Sequence, residues 1–276
     1  MKEKTDGKNN LAKPFLRWAG GKSWLVKHIQ KLKTINYNNY HEPFLGGGAT
    51  FFSISPPNQS YLSDLNADLI NTYITLRDSV EAVISKLATF ENSEEQYYMI
   101  RSKDFDNNID NAAKFIYLNQ TSYNGIYRVN LKGIYNVPYG FREKNFLDSM
   151  LLRSVSKSLQ NTQLFQSDFG IVKENILPND LVFLDPPYTV SHNNNGFIKY
   201  NEKLFSLEDQ YRLSETISFI KENDAHYILT NAAHHKVKEI FNHNDNVYEL
   251  SRANLIGGTN AKRGSTNELI FTNLTL

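Results

Sequence analysis

A candidate catalytic motif directly follows the apolar run Leu181–Leu184. It consists of Asp185-Pro186-Pro187-Tyr188. A short apolar run that ends at a turn predicts a buried parallel strand, so Asp185 should lie at the carboxyl end, where open α/β sheets bind ligands. The two prolines have no amide hydrogen, and each disfavours the helical conformation in the residue before it. The turn therefore presents carboxylate and carbonyl oxygens as acceptors without a competing donor.

Such a turn suits the exocyclic amino group of adenine or cytosine, which carries two hydrogens and is a poor nucleophile. If Asp185 accepts one hydrogen and the Pro186 carbonyl accepts the other, the nitrogen is drawn toward tetrahedral geometry and can attack an electrophilic methyl group. Tyr188 would stack on the base. The pattern indicates methylation of a base nitrogen, although four residues alone leave a surface Asp-Pro turn as an even alternative.

Composition limits the other possibilities. The chain has 276 residues, of which 40% are hydrophobic and 21% are charged, as in ordinary globular proteins. It has no cysteine, which excludes disulfides and thiolate metal sites and agrees with a reducing cytoplasm. His234-His235 is the one histidine pair and has no metal-ligand spacing, so no metal is expected. No apolar run has the length of a membrane span, and the first residues lack a signal peptide, so we expect a soluble, intracellular protein.

Positive charge is concentrated in two segments, although the formal net charge is only +1. Residues 1–33 carry nine Lys or Arg against two acidic residues, and residues 123–144 carry four against Glu143. Attraction to a polyanion would have to come from such local segregation. Charge runs are usually solvated faces, so the pattern supports a nucleic-acid partner only mildly.

Glycines and acids at strand ends suggest a nucleoside site. Gly46-Gly47-Gly48 would let the backbone approach a ligand closely, but the spacing is not the dinucleotide fingerprint, which favours a single-nucleoside cofactor. Asp64 ends a second strand, where a carboxylate can accept bonds from ribose hydroxyls, while Asp64 or Asn66 as a helix cap is the alternative. The string Gly20–Ser23 is not a P-loop, because the first glycine of that motif would fall at Leu16.

Repeated strand, acid and helix units predict a doubly wound, mostly parallel α/β sheet. Residues 67–118 have helical spacing and form core. A further strand should end at Asp168, a helix that Ser206 and Asp209 cap should run to about residue 222, and residues 226–231 and 269–271 should be strands. Residues 193–196 should form a loop beside the pocket, and residues 252–263 a basic loop.

Residues 119–144 change in character. Two strand-like runs about the Lys132-Gly133 turn predict a β-hairpin, and its aromatic residues alternate with Arg and Asn. That combination is typical of a ribbon that contacts bases. For each residue there, contact with phosphate or a purely structural role is the alternative, and base contact is favoured.

Together these motifs resemble the Dam-type DNA adenine-N6 methyltransferases, of the alpha group in which the recognition domain precedes the Asp-Pro-Pro-Tyr motif. Phe15–Lys22 looks like the cofactor motif of that family, Glu42–Gly48 like its glycine loop, and Asp64 like its ribose-binding acid. The resemblance covers nearly the whole chain. It implies a Rossmann-like catalytic domain from residues 1–66 and 161–276, and an inserted, mainly helical target-recognition domain at residues 67–160 that carries the hairpin.

The resemblance also implies S-adenosyl-L-methionine as methyl donor and an adenine that is flipped out of duplex DNA. Its catalytic residues would be Asp185, Pro186 and Tyr188. Its cofactor residues would be Trp18, Lys22, Phe44, Gly46, Gly48, Asp64, Asp168, Phe169 and Asp185. Trp18 and Lys22 would lie near the methionine end, and Asp168 would face the cofactor adenine.

For DNA, the resemblance implies Arg128 and Arg17 on guanine edges and Ile126 and Pro138 on thymine methyl groups, which suggests GATC or a related site. Members of the family often carry an Arg-aromatic pair where this chain has Phe141-Arg142, so either Phe141 is the wedge residue or the chain has none. The DNA-binding residues expected are Arg17, Tyr123, Asn124, Ile126, Arg128, Asn130, Lys132, Pro138, Phe141, Arg142, Arg252, Lys262 and Arg263.

We therefore expect a cytoplasmic enzyme that is prokaryotic or phage-encoded and monomeric in solution. It should bind double-stranded DNA and no membrane, and a cognate restriction endonuclease is a candidate partner. An amino methyltransferase acting on RNA or on protein glutamine would share the tetrad. A DNA-binding module without catalysis and, on fold alone, a nicotinamide dehydrogenase are the remaining alternatives.

Overall fold

The computed structural model describes residues 12–22, 24–25, 34–130, 132–188, 205–253 and 265–276 and contains a seven-stranded mixed sheet. The strand order is β3-β2-β1-β4-β5-β7-β6. Neighbours among β2, β1, β4 and β5 pair in parallel, whereas β7 pairs antiparallel with both β5 and β6. The strands are β1 (Tyr40–Glu42), β2 (Ser60–Asp64), β3 (Thr162–Gln166), β4 (Leu181–Leu184), β5 (His226–Ala232), β6 (Asn246–Ala253) and β7 (Ser265–Thr272). The predicted doubly wound α/β fold is confirmed.

Chain packing divides the described residues into two compact units. The first unit is drawn from Met1–Lys33, Leu45–Pro57 and Asn66–Gln166, and the second from Thr34–Phe44, Asn58–Leu65 and Ser167–Leu276. The boundaries predicted for a catalytic and a recognition domain refer to function and stay a prediction.

Helices dominate the first unit. They are α1 (Ala49–Ile54), α2 (Ala67–Leu87), α3 (Glu94–Ser102), α4 (Asn108–Thr121) and α5 (Ser149–Ser158). Asn66 caps α2 by accepting the Leu69 amide hydrogen at 3.0 Å, which selects Asn66 over Asp64 as the cap. Helix α5, which the sequence analysis did not identify, begins at the Asp148 cap and buries Leu152 and Val155.

The second unit packs its helices against the apolar strands. These helices are α6 (Val172–Asn175), α7 (Leu207–Glu222) and α8 (His235–Ile240). The capping box of Ser206 and Asp209 opens α7 as predicted, and Leu213 and Ile217 of that helix join Leu184 of β4 in one buried cluster. Burial of a run such as Leu181–Leu184 on both faces is typical of a central parallel strand.

Strand β6 corrects one expectation. Residues 252–263 were expected to form a loop, but Arg252 lies in β6, where its backbone pairs with Thr266. This edge strand pairs with β7 alone, and most of its residues are exposed or half-buried, so its sequence lacks the apolar signature of a core strand. Lys262, Arg263 and the expected loop at residues 193–196 lie outside the described residues.

Among the described residues, no helix combines the length and the apolar character needed to cross a bilayer.

Candidate active site

The Asp-Pro-Pro-Tyr turn follows β4 in the second unit, at the carboxyl end of a central strand. Leu184 of β4 pairs in parallel with Leu229 of β5, so the next residues along, Asp185 and Thr230, lie side by side. The Thr230 hydroxyl donates to Asp185 Oδ1 over 2.7 Å. Asp185 is half-buried and Pro186 is buried. The carboxylate therefore has a fixed orientation on a rigid sheet.

Tyr188 ends the turn with its hydroxyl group 2.9 Å from Glu268 Oε2. Glu268 lies on β7, opposite Ala232 of β5, and is only 4% exposed. Burial, followed by the negative charges of Asp185 and Glu268, raises the pKa of Tyr188 well above its ordinary value. The phenol accordingly stays protonated at neutral pH and donates to Glu268.

Three aromatic rings of the second unit pack together. The ring of Phe44, just after β1, stacks on that of Phe169 with centroids 5.5 Å apart, and Phe205 packs within 5.8 Å of both. The guanidinium of Arg212 lies 4.8 Å from the Phe169 ring centroid. This cluster provides apolar surface of the kind on which a nucleobase packs.

Two acidic residues lie beside that cluster. The carbonyl of Asp64, at the end of β2, accepts the amide hydrogen of Ser167 over 3.1 Å, so the segments of Asp64 and Asp168 are adjacent. Asp168 Oδ1 accepts from Arg212 at 2.7 Å and from the Gly170 amide at 3.0 Å. Asp168 thus caps the short 3₁₀ turn Phe169–Ile171 in addition to any contact with a ligand.

Close packing within the first unit explains the glycines of the loop at residues 46–48. A Cβ atom on Gly46 or Gly47 would come within 2.9 or 2.8 Å of Trp18, and Gly48 adopts a φ of 65°. Trp18 itself stacks on Tyr127 at a centroid distance of 5.4 Å. Lys22 is buried, and its ammonium donates to the Gly20 carbonyl over 3.0 Å. These contacts require the glycines whether or not a ligand approaches them.

The hairpin expected over residues 119–144 is less regular than predicted. Its antiparallel pairs are Ser122 with Tyr139 and Val129 with Tyr135. Asn124 has a φ of 53° within the 3₁₀ turn Tyr123–Gly125, so the first run begins with a turn and not with a strand.

Most hairpin residues expected to contact DNA lie at the surface. Tyr123 is 55% exposed and Phe141, with a φ of 49°, is 71% exposed. The Arg128 Nε donates to Asn136 Oδ1 over 2.8 Å, which orders an exposed guanidinium. Arg142 is half-buried, and the others are exposed: Asn124, Ile126, Asn130, Lys132 and Pro138.

Asn119 was not identified from the sequence and joins Arg17 to the base of the hairpin. Its Oδ1 accepts the Arg17 amide hydrogen at 2.7 Å, and its Nδ2 donates to the Arg17 carbonyl at 2.8 Å. A Cβ on Gly125 would lie 2.5 Å from Arg17. Burial, together with the nearby charge of Arg142, lowers the pKa of Arg17. The signal available in the sequence was an amide side chain, that of Asn119, within the apolar helix α4.

Thr230, Glu268 and Arg212 were also missed, because each acts across strands or helices that are far apart in sequence. The structure brings Asp185 and Tyr188 together with Thr230 and Glu268 in the second unit. It brings Phe44, Phe169, Asp64 and Asp168 into a second group there, and Trp18, Lys22, Gly46 and Gly48 lie in the first unit. Arg252 is described by its backbone in β6.

Comparison with known proteins decides the family. A model described as the D12 class of N6 adenine-specific DNA methyltransferases matches residues 18–254. The chain belongs to this family. It is therefore an adenine-specific DNA methyltransferase, and DNA is its substrate.

Named relatives of the enzyme agree. It is 34% identical over 272 residues to the Type II methyltransferase M1.LlaDCHI of Lactococcus lactis subsp. cremoris. The aligned residues cover 95% of each of the two chains. It is 35% identical over 244 residues to the Type II methyltransferase M.MjaIII of Methanocaldococcus jannaschii, covering 80% of this chain and 84% of the relative. The DNA adenine methylase of Escherichia coli is 29% identical over 228 residues, covering 79% and 80%.

Proposed function

We propose that the enzyme transfers a methyl group from S-adenosyl-L-methionine to N6 of an adenine that is rotated out of duplex DNA. The observation that carries this proposal is the acceptor-rich turn after β4, in which Thr230 orients Asp185 Oδ1 at 2.7 Å. The second unit supplies chemistry that suits a nucleoside donor, with Asp64 for ribose hydroxyls and Phe44 and Phe169 for an adenine. When bound, S-adenosyl-L-methionine supplies an electrophilic methyl group on a positively charged sulfur.

Asp168 would face the cofactor adenine, and Arg212 would hold that carboxylate in place. Trp18, Lys22, Gly46 and Gly48 stay predictions of the family resemblance. Their packing in the first unit neither requires nor opposes a ligand.

The turn's own residues activate and orient the amino group. Asp185 accepts one N6 hydrogen and the Pro186 carbonyl accepts the other, which directs the lone pair of the nitrogen out of the base plane. Tyr188 packs against the base. One N6 hydrogen leaves as a proton to solvent once the new carbon–nitrogen bond has formed. Correct positioning accounts for most of the catalysis, because the methyl donor already carries the electrophile.

Hairpin residues would read the site and hold open the gap left by the flipped adenine, whose extrusion costs a few kcal/mol. Tyr123 and Asn124 would contact the flanking bases and the unpaired partner strand. Arg17 and Arg128 would each bind a guanine edge, worth about 1 to 3 kcal/mol of discrimination. With Ile126 against a thymine methyl group, these contacts favour GATC or a related site.

The remaining proposed DNA contacts are weaker. Pro138 would contact a second thymine methyl group, Phe141 would be the wedge, and Lys132 and Arg142 would bind phosphate. Arg252, Lys262 and Arg263 would add positive charge near the DNA.

Methyl transfer to matched duplex DNA, RNA and protein substrates tests the proposal, with digestion of the product to N6-methyladenine. Asp185→Ala should abolish transfer and leave DNA binding largely intact. Transfer to RNA or protein alone, or full activity of Asp185→Ala, would contradict it. Sequencing genomic DNA after expression in a methylation-free host would give the recognition sequence.

Two Type II methyltransferases among the relatives support a cognate restriction endonuclease as partner. We further propose a monomer that acts on DNA in the cytoplasm of a prokaryotic cell, encoded there or by a phage. Light scattering of the free enzyme tests the monomer.

A further inference from the structure

Two residues in the strands behind the catalytic turn touch its side chains but do not contact the base in the mechanism above. We propose that Thr230 and Glu268 are positioning residues: Thr230 sets the plane of the Asp185 carboxylate, and Glu268 sets the tilt of the Tyr188 ring. The inference rests on the proposed function, because it concerns how the same turn grips its base.

Thr230 is fully buried, and its hydroxyl has a single hydrogen to donate. Asp185 Oδ1 lies 2.7 Å from that hydroxyl and the Leu184 carbonyl lies 3.4 Å away, and the Thr230 side chain is also a hydrogen-bond partner of the Tyr188 hydroxyl. The shorter, charge-assisted bond is the stronger one. Because a carboxylate can rotate about its Cβ–Cγ bond, this bond determines which lone pairs face the amino group of a base.

Glu268 is an acidic residue in a buried strand, where an unpaired carboxylate is costly. Its neighbours Leu269 and Ile270 are core residues, so burial of a carboxylate here calls for a function. Its Oε2 accepts the Tyr188 hydroxyl, which lies at the far end of the ring from the backbone. A hydrogen bond at the hydroxyl end restricts the tilt of the ring, and stacking on a base depends on that angle.

The sheet holds both residues on one face. Thr230 pairs with Ile270, and Glu268 pairs with Ala232, so Thr230 and Glu268 occupy diagonal positions of the β5–β7 ladder. Directly paired residues project to the same side, and positions two apart do so as well. Thr272 pairs with Ile228 on that same face, and its hydroxyl donates to the Tyr227 carbonyl. Thr272 therefore offers a matched control.

The first experiment compares Thr230→Val, Thr230→Ser and Thr272→Val in single-turnover methylation of duplex DNA. Thr230→Val should slow methyl transfer by about 10- to 100-fold without weakening DNA binding, because a small misplacement of a reacting group has that effect. Thr230→Ser keeps the hydroxyl and should restore most of the rate. Thr272→Val removes an equally buried hydroxyl and should leave the rate unchanged.

The second experiment measures Glu268→Ala, Tyr188→Phe and their combination, with Glu268→Gln as the conservative variant. If Glu268 acts through the Tyr188 hydroxyl, the double variant should match Tyr188→Phe within about twofold. Glu268→Gln retains an acceptor and should stay near wild type. Tyr188→Phe breaks the same bond without altering β7, so the test survives if Glu268→Ala does not fold.

Emission of 2-aminopurine at the methylated adenine position supplies a readout of the ring itself. Stacking on tyrosine quenches this base, so Glu268→Ala and Tyr188→Phe should raise its emission in the DNA complex, whereas Thr272→Val should not. Equal rates for Thr230→Val and wild type, or additive losses in the double variant, would overturn the inference while Asp185→Ala stays inactive. A wild-type enzyme that methylates no DNA would instead overturn the proposed function.

Discussion

Replacing Asp180 by asparagine should destabilise the protein by about 3 to 5 kcal/mol, although the site lies at the opposite end of β4 from the catalytic turn. Asp180 is 0% exposed. Its Oδ1 accepts the amide hydrogen of Asn39 at 2.9 Å and the Asn39 side-chain amide at 3.0 Å. Its Oδ2 bonds His41 Nε2 and accepts the Leu177 amide hydrogen, both at 2.9 Å.

The magnitude follows from these four contacts. An asparagine can keep the two bonds to Asn39, but its NH2 group then faces the Leu177 amide and the His41 ring. Each bond to a charged group contributes about 1.5 to 3 kcal/mol, so the loss of two gives about 3 to 6 kcal/mol, a range that contains the about 3 to 5 kcal/mol typical of breaking a buried ion pair. At about 2 to 4 °C per kcal/mol for a chain of this length, the melting temperature should fall by roughly 6 to 20 °C.

Urea unfolding at pH 7 measures the change, with Asp78→Asn as the control. The Asp78 side chain is 53% exposed and pairs with Arg77, so its amide variant should cost about 0 to 1 kcal/mol. A loss below about 1 kcal/mol for Asp180→Asn would refute the reasoning, since it would mean that the buried carboxylate contributes no more than a surface one.

The same experiment has a pH dependence with a defined sign. Burial raises the pKa of Asp180, but the bonds from His41 and from the amides of Asn39 and Leu177 outweigh it and hold the pKa below its ordinary value. The stabilisation is therefore fully present above the unfolded pKa of about 3.9 and is lost as pH falls through the lower folded value. The difference between wild type and Asp180→Asn should shrink as the pH falls below about 4.

Two further predictions concern the hairpin. A Cβ on Gly140 would lie 2.5 Å from the Ser122 carbonyl oxygen, so Gly140→Ala should open the hairpin base, lower the free energy of unfolding in urea by about 1 to 3 kcal/mol and weaken DNA binding. The control is Gly133→Ala, where φ is 76° but the space is open, and it should cost only about 1 to 2 kcal/mol without weakening DNA binding. Equal DNA binding by both variants would contradict this prediction. In binding titrations against matched and mismatched DNA, Arg128→Ala should relax discrimination at one guanine. Lys132→Ala should instead weaken binding to all sequences alike and reduce the dependence of affinity on salt concentration. Identical behaviour of the two variants would exclude base readout by Arg128.

Local signals in the sequence predicted the parts of the fold that depend on them. The apolar run of β4 placed Asp185 at a strand end, and the Ser206 capping box placed the start of α7. Strand β6 was not predicted, because an exposed edge strand lacks the apolar run that identifies a buried one. The hairpin was predicted as two strands, but the left-handed conformation of Asn124 interrupts the first.

Contacts between distant residues were beyond reach for a different reason. Thr230 and Glu268 lie 45 and 80 residues from their partners Asp185 and Tyr188, and His41 lies 139 residues from Asp180. A threonine in a strand has no special pattern, because threonine is common in sheets. Only the strand order and register bring these side chains to their partners. The chemistry of the turn could therefore be predicted, but not the residues that support it.

The place of β7 between β5 and β6 has a consequence for the newly made chain. Until residues 265–272 have been synthesised, β5 presents an open edge on which a strand from another molecule can add. The same insertion that covers this edge delivers Glu268 to Tyr188. Cover of the β5 edge and the hydrogen bond that we propose orients Tyr188 are thus acquired in one event.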